Sequence, residues 1–226
     1  MPIEMIDVRF RYSSQGPAVL DGVTLTIPDG QMIALVGPSG SGKTTLLQII
    51  GGILKPSDGM VRCDTPVGRM RWIFQTPILL ARQTVRQNID IAISTAPWNA
   101  RTREARVGEM LADVGLDGYA DHRVNTLSGG QQQRVQIARA LACRPPVVLA
   151  DEPTGQLDHA TTTLVMNAIA KARDHGTTMV LVTHDEYVAS YCERVVRLED
   201  GRIHSVKDGD ARRMDDCDMV VGASDE

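Results

Sequence analysis

Between Gly37 and Thr44 the chain reads "GPSGSGKT", a glycine-rich run closed by a lysine and a threonine. It has the spacing G-x-x-x-x-G-K-[ST], follows the apolar run "MIALV" and opens the helical pattern "KTTLLQIIGGIL". In that context glycines let successive backbone N–H groups turn inward around phosphate oxygens, and the helix start adds partial positive charge. Gly37, Pro38, Ser39, Gly40, Ser41 and Gly42 supply the loop. Lys43 adds a full charge for the outer phosphates, Thr44 a hydroxyl for Mg²⁺, and Thr45 follows in the same turn. These residues point to a nucleoside-triphosphate site.

A second stretch, "VVLADEP" from Val147 to Pro153, carries two adjacent carboxylates out of an apolar strand. Open α/β sheets place their ligands at the carboxyl ends of strands, so Asp151 can hold Mg²⁺ there, directly or through water. Glu152 is then free to polarise a water that attacks the γ-phosphate. Alone, the pair could be an acidic turn. With the phosphate loop upstream it predicts hydrolysis, since no acceptor-binding motif for phosphoryl transfer is visible.

The third stretch is "LSGGQQQRVQIARAL", Leu127 to Leu141. Ser128 and Gln131 have the spacing of a capping box, which explains the helix start but neither Gly129 nor Gly130. Two glycines in a first turn leave backbone N–H groups open to something bulky and anionic. This makes a second phosphate-binding helix end in a chain with one phosphate loop. It could close over the chain's own nucleotide or over that of another copy.

The elements that must position these groups alternate. Met32–Gly37, Arg71–Phe74, Val147–Asp151 and Thr178–Thr183 read as buried strands, and Ala160–Ala172 as an amphipathic helix. The alternation predicts a mainly parallel sheet covered by helices. Ile3–Tyr12 and Val23–Ile27 read as antiparallel strands. Val85–Ala142 reads as nearly all helix, broken near Pro97 and Gly115, which suggests a lobe inserted after Phe74. The last twenty residues hold seven acids and three bases and read as a loose tail.

Bulk properties narrow the function. A length of 226 residues suits one α/β domain with a smaller lobe, and a net charge of -4 disfavours a nucleic-acid footprint. Four scattered cysteines suggest neither a zinc site nor a disulfide framework and fit a reducing cytoplasm. "MPIEMIDVRF" does not read as a signal peptide, and the apolar segment from Thr44 to Leu54 is too short to span a bilayer. A membrane role would run through a partner.

Together, "GPSGSGKT", "LSGGQQQRVQIARAL" and "VVLADEPTGQLD" resemble the Walker A, signature, Walker B and D-loop series of the ATP-binding-cassette (ABC) ATPases, over roughly Ile3 to Val206. The resemblance implies an α/β fold: a P-loop NTPase, RecA-like core with a mainly parallel sheet, an N-terminal antiparallel β part and an inserted helical subdomain. It implies one ABC ATPase domain over 1–206, with core at about 1–83 and 145–206, helical subdomain at about 84–144, and an acidic tail at 207–226.

It further implies that Tyr12 stacks on adenine, that Gln75 is the Q-loop glutamine touching Mg²⁺, and that His184 in "LVTHD" is the switch histidine. Asp158 would sit at a dimer interface, where two copies pair head to tail and Ser128, Gly129, Gly130 and Gln131 of each cap the ATP held by the other. Each residue has a plainer reading. Tyr12 could be a strand-end aromatic, Gln75 a surface residue and Asp158 the N-cap of a helix at His159. His184 could be structural, beside Thr183 and Glu186 in capping-box spacing.

Within the family the wording is most similar to the lipoprotein-release and macrolide-export type. Against this stand the T-V-x-x-N-I pattern at Thr84–Ile89, more reminiscent of exporter cassettes, and "DHRVNT", which lacks a proline often found there. The resemblance implies an ATPase that uses ATP and Mg²⁺ to drive a substrate through separate integral-membrane permease subunits. It would lie in the cytoplasm, peripheral on the inner face of the membrane, with no nucleic-acid partner. Two other roles stay open: a cell-division-like regulatory cassette, and a cassette acting on DNA or ribosomes.

Overall fold

The computed structural model describes residues 2–94 and 96–209. In chain order the strands are β1 (Ile3–Phe10), β2 (Leu20–Ile27), β3 (Met32–Val36), β4 (Asp58–Arg62), β5 (Met70–Ile73), β6 (Val147–Asp151), β7 (Thr178–Val182), β8 (Arg194–Glu199) and β9 (Arg202–Asp208). The α-helices are α1 (Lys43–Ile50), α2 (Val85–Ile93), α3 (Ala100–Asp113), α4 (Gly129–Ala142), α5 (His159–Asp174) and α6 (Glu186–Ala189).

The main sheet has the order β5-β6-β7-β3-β8-β9, parallel from β5 to β8 and antiparallel at β9. Its central strands are apolar throughout because both faces are covered. Met32, Ala34, Val148, Ala150, Met179 and Leu181 face one hydrophobic cluster with α2–α5. Ile33, Leu35, Val147, Leu149, Val180 and Val182 face the other, against α1 and the antiparallel sheet β2-β1-β4. The two-residue period of a strand thus sorts one apolar run into two cores.

Helices α2, α3 and α4 pack together between β5 and β6 in the chain. The Arg106 guanidinium, almost fully buried on α3, donates to the carbonyls of Leu141 and Ala142, which satisfies the end of α4.

Several boundaries differ from the sequence reading. Residues 114–128 hold only a short 3-10 turn at Val124–Thr126, so the helical stretch is more broken than its composition implies. Three strands, β4, β8 and β9, carry no long apolar run and were not anticipated. Strand β9 runs to Asp208, two residues into the expected acidic tail, while 210–226 lie outside the described residues. No helix among the described residues is long and apolar enough to cross a membrane.

Candidate functional site

Strand β3 ends at Val36 and the chain turns through the loop 37–42 into α1. Gly42 caps that helix in the left-handed region, at φ 99°, with no side-chain cap. A Cβ on Gly37 would come within 2.0 Å of the Leu198 carbonyl oxygen, so this backbone runs flush against β8. The Lys43 ammonium folds back over the loop and donates to the carbonyls of Gly37 (2.9 Å) and Pro38 (2.7 Å), with the Ser41 hydroxyl at 3.5 Å. Ser41 is buried beneath the loop.

Around this loop lies a cavity of about 600 Å³. The loop contributes Gly37, Ser39, Gly40 and Gly42, and α1 contributes Lys43, Thr44 and Thr45. The carboxyl ends of three strands add Gln75, Asp151, Glu152 and His184, and Tyr12 stands with Val19 at the outer rim. Residues from six places in the chain therefore converge, and all come from strand ends, the loop or the first turn of α1. Pro38 and Ser41 shape the loop without lining the cavity.

Asp151 is half-buried, and burial pushes its carboxyl above the usual range, opposed by a hydrogen bond with Thr44 and the charge of Lys43. Glu152 is the next residue and the first to leave the strand, with φ 47°. Its N–H donates to the Val182 carbonyl at 2.9 Å, which locks the backbone in a conformation costing a non-glycine residue about 1 kcal/mol or more. The turn delivers its carboxylate to His184, Oε1 to Nδ1 at 2.9 Å. That contact raises the imidazole above its ordinary value, through the hydrogen bond first and the charge of Glu152 second.

The capping box suggested by the spacing of Thr183 and Glu186 does not form. Asp185 is the N-cap of α6, accepting from the Tyr187 N–H, while Thr183 accepts from the Asp185 N–H. His184 is left pointing outward, with 78% of its side chain exposed. Tyr12 is also mostly exposed; its hydroxyl meets Thr45 Oγ1 at 3.1 Å and its ring meets Phe10 edge-on at 4.9 Å.

Ser128, Gly129, Gly130, Gln131 and Asp158 do not line this cavity. Ser128 and Gln131 form the full capping box, each side chain bonded to the other's backbone N–H. Asp158 caps α5 by accepting from Thr161 at 2.8 Å. The glycines also have an intrachain reason. A Cβ on Gly129 would come within 3.3 Å of Gln156 Oε1, and one on Gly130 within 3.4 Å of Leu157, so the segment before α5 rests on the start of α4.

The oxygen donors here suit a hard divalent cation: the Thr44 hydroxyl, the Asp151 carboxylate and the Gln75 amide share one cavity. A glycine-rich loop, a carboxylate pair and a histidine meet in one α/β cavity, while a second helix start lies outside its lining. The family model described as "ABC transporter" matches residues 20–155. The chain belongs to the ABC transporter family. It is 44% identical over 230 residues to the lipoprotein-releasing system ATP-binding protein LolD of Anaeromyxobacter dehalogenans, covering 93% of this chain and 95% of that protein. It is 38% identical over 236 residues to the macrolide export ATP-binding/permease protein MacB of Salmonella typhi, covering 97% of this chain. It spans 36% of the length of that MacB.

Among solved structures, the dimeric post-hydrolysis state of the ATP-binding cassette MJ0796 with ADP and Pi superposes with a TM-score of 0.81 at 34% identity. That match covers 91% of this chain and 98% of that one. The cbiO1 cassette of Clostridium perfringens gives 0.80 at 28%, covering 91% and 88%. As an ABC cassette, the chain is an ATP-binding ATPase of the P-loop fold.

Two buried glutamines were missed by sequence reasoning. Gln133 and Gln136 lie inside α4, and glutamine on a helix ordinarily signals a solvent-facing position. Only the tertiary structure shows that they face the cavity-bearing strands.

Proposed function

We propose that this cassette hydrolyses ATP in the cavity at the ends of β3, β5, β6 and β7, and that a second copy completes the site. The observation that carries the reading is the convergence of Lys43, Thr44, Gln75, Asp151, Glu152 and His184 on one cavity. Tyr12 at the rim offers a ring face to adenine. The loop N–H groups and Lys43 hold the phosphates, for which Lys43 exchanges its loop carbonyl partners. Thr44, Asp151 and Gln75 would hold Mg²⁺, which supplies charge neutralisation on the phosphate oxygens.

Glu152 accepts a proton from the attacking water as its oxygen bonds to the γ-phosphorus and the bond to the bridging oxygen breaks, releasing ADP. His184 fixes the orientation of that carboxylate. Glu152 raises the proton affinity of His184, which favours the charged imidazole beside the transferring group. Ser128, Gly129, Gly130 and Gln131, which lie outside their own cavity, serve the other copy's nucleotide, and Asp158 lies in the same interface. The dimeric MJ0796 structures support this pairing.

The work is passed to separate integral-membrane permease subunits, which would hold the cassette on the inner face of the membrane. The relatives' names support coupling to a permease: LolD is the ATP-binding protein of a lipoprotein-releasing system, which fits separate subunits, whereas MacB joins ATP-binding and permease functions in one protein. Lys43→Ala tests the site. Turnover should fall to background and ATP affinity should drop, because the one full positive charge inside the loop is gone. Turnover near the parental rate would sink the assignment. Copurification of a permease-type membrane protein with the intact chain, and its loss with no other partner retained, tests the coupling.

A further inference from the structure

The Gln75 segment is bound at both ends to one face of α4. At its start, the Phe74 carbonyl accepts from Gln136 Nε2 at 2.8 Å and from Gln133 Nε2 at 3.2 Å. At its end, the Ile78 N–H donates to Gln136 Oε1 at 3.0 Å, and the Ile78 carbonyl accepts from Arg139 at 2.6 Å. Gln75 lies between these anchors. Gln133 spends its second N–H on the Pro153 carbonyl at 2.9 Å, the residue after Glu152.

Both glutamines are fully buried, at 1% and 0% exposure, and they touch each other at 3.5 Å. Every polar atom of the pair except one weakly engaged oxygen is therefore committed to a strand end or its loop. Burial makes each of these bonds costly to leave unmade, so the small network resists partial opening. Its members also sit one and two turns beyond Ser128, Gly129 and Gly130 on the same helix.

We propose that Gln133 and Gln136 are positioning residues that tie the Gln75 segment and the Glu152 turn to α4, making the three one mechanical unit. A shift of Gln75 on engaging Mg²⁺ and the γ-phosphate is then passed through Phe74 and Ile78 to α4. The helix start that caps the partner's ATP moves with it. The same unit holds Glu152 in register through Pro153. Without the ties, ATP would still fill the P-loop, but closure of the two copies and placement of Glu152 would no longer follow from binding. This rests on the reading of Gln75 and Glu152 given above.

The experiment is a cycle on ATP turnover with Gln136→Met, Gln75→Ala and the double variant, in the full chain. Gln136→Met keeps the volume and removes both hydrogen-bonding ends. It should lower kcat at least tenfold while leaving the Kd for ATP of the nucleotide-free monomer within twofold. In the Gln75→Ala background it should cost less than a further twofold, because the connection already ends in nothing.

If Gln136→Met does not fold, Gln136→Glu takes its place, keeping the acceptor for Ile78 and losing the donor to Phe74. Losses that multiply in the double variant, or a kcat within twofold of the parent, overturn the coupling. A Gln75→Ala variant at the parental rate removes the role of Gln75 together with the coupling built on it. The first result spares the site reading, so the two failures are distinguishable.

Discussion

In the proposed function, Glu152 and His184 make the chemistry of the site a two-residue problem. The strained turn at Glu152 places its carboxylate where a plain strand continuation would not, and the 2.9 Å contact makes His184 the group that reports on it. Glu152→Gln keeps the size and removes the basic oxygen, so turnover should fall on the order of 10²–10⁴-fold while ATP binding survives. An unchanged rate would take Glu152 out of the proton-accepting role.

The same substitution should lower the His184 pKa toward its ordinary value, since Glu152 supplies the two largest causes of its elevation. An NMR titration of the nucleotide-free chain reads this directly. Because the native value is raised, the pair stabilises the fold fully below the ordinary histidine value and loses that contribution as pH rises through the raised one. With the imidazole largely exposed, the change is one of titration more than of stability. A His184 titration that does not move in Glu152→Gln would show that the contact is not what holds the proton.

At the scale of elements, the T-V-x-x-N-I pattern at Thr84–Ile89 has a physical explanation. Thr84 and Gln87 form the capping box of α2, while Val85 and Ile89 go into the core. Asn88, fully buried, accepts from the Leu80 N–H and donates to the carbonyls of Leu80 and Thr84. It therefore fastens the segment leading out of the Gln75 loop to α2. Asn88→Leu removes three partly buried hydrogen bonds, to the Leu80 N–H and to the carbonyls of Leu80 and Thr84, and should cost about 1–3 kcal/mol, seen as a lower urea midpoint at unchanged m. ATP binding at the distant loop should persist. An unchanged midpoint would show that water replaces the amide at no cost.

The same elements show what the chain made legible before folding. The central strands and the cavity loop were readable because burial on both faces forces long apolar runs, and phosphate binding forces glycine. β4, "DGMVR", is mostly exposed, and β8 and β9 are interleaved with charges because each has a solvated side, so their periodicity drowned in polar residues. Gln133 and Gln136 were hidden for the opposite reason: a polar residue on a helix is buried only if a particular carbonyl comes to meet it.

At the scale of the molecule, the start of α4 lies outside the cavity lining, and in the proposed function each is half of a site. Two copies paired head to tail would form two composite sites, each with the phosphate loop of one and the α4 start of the other. Lys43→Ala disables a loop and spares the α4 start. Ser128→Arg does the reverse, since Ser128 lies outside the lining of the chain's own cavity and its replacement should leave ATP binding by the monomer intact. Either variant alone should be inactive, because every composite site then carries the lesion. Mixed in equal amounts, half of the dimers should pair one of each, and in these both lesions fall in the same site while the other site is whole. Turnover should therefore return to about a quarter of the parental rate at saturating protein and ATP, if the two sites fire independently. The recovered rate should rise with total protein, because only association creates the intact site. Ser128→Arg that fails to bind ATP as a monomer would mean that the capping box, and with it the helix, had been lost. Two variants that each bind or fold as stated and yet restore nothing when mixed at any concentration would refute the shared site.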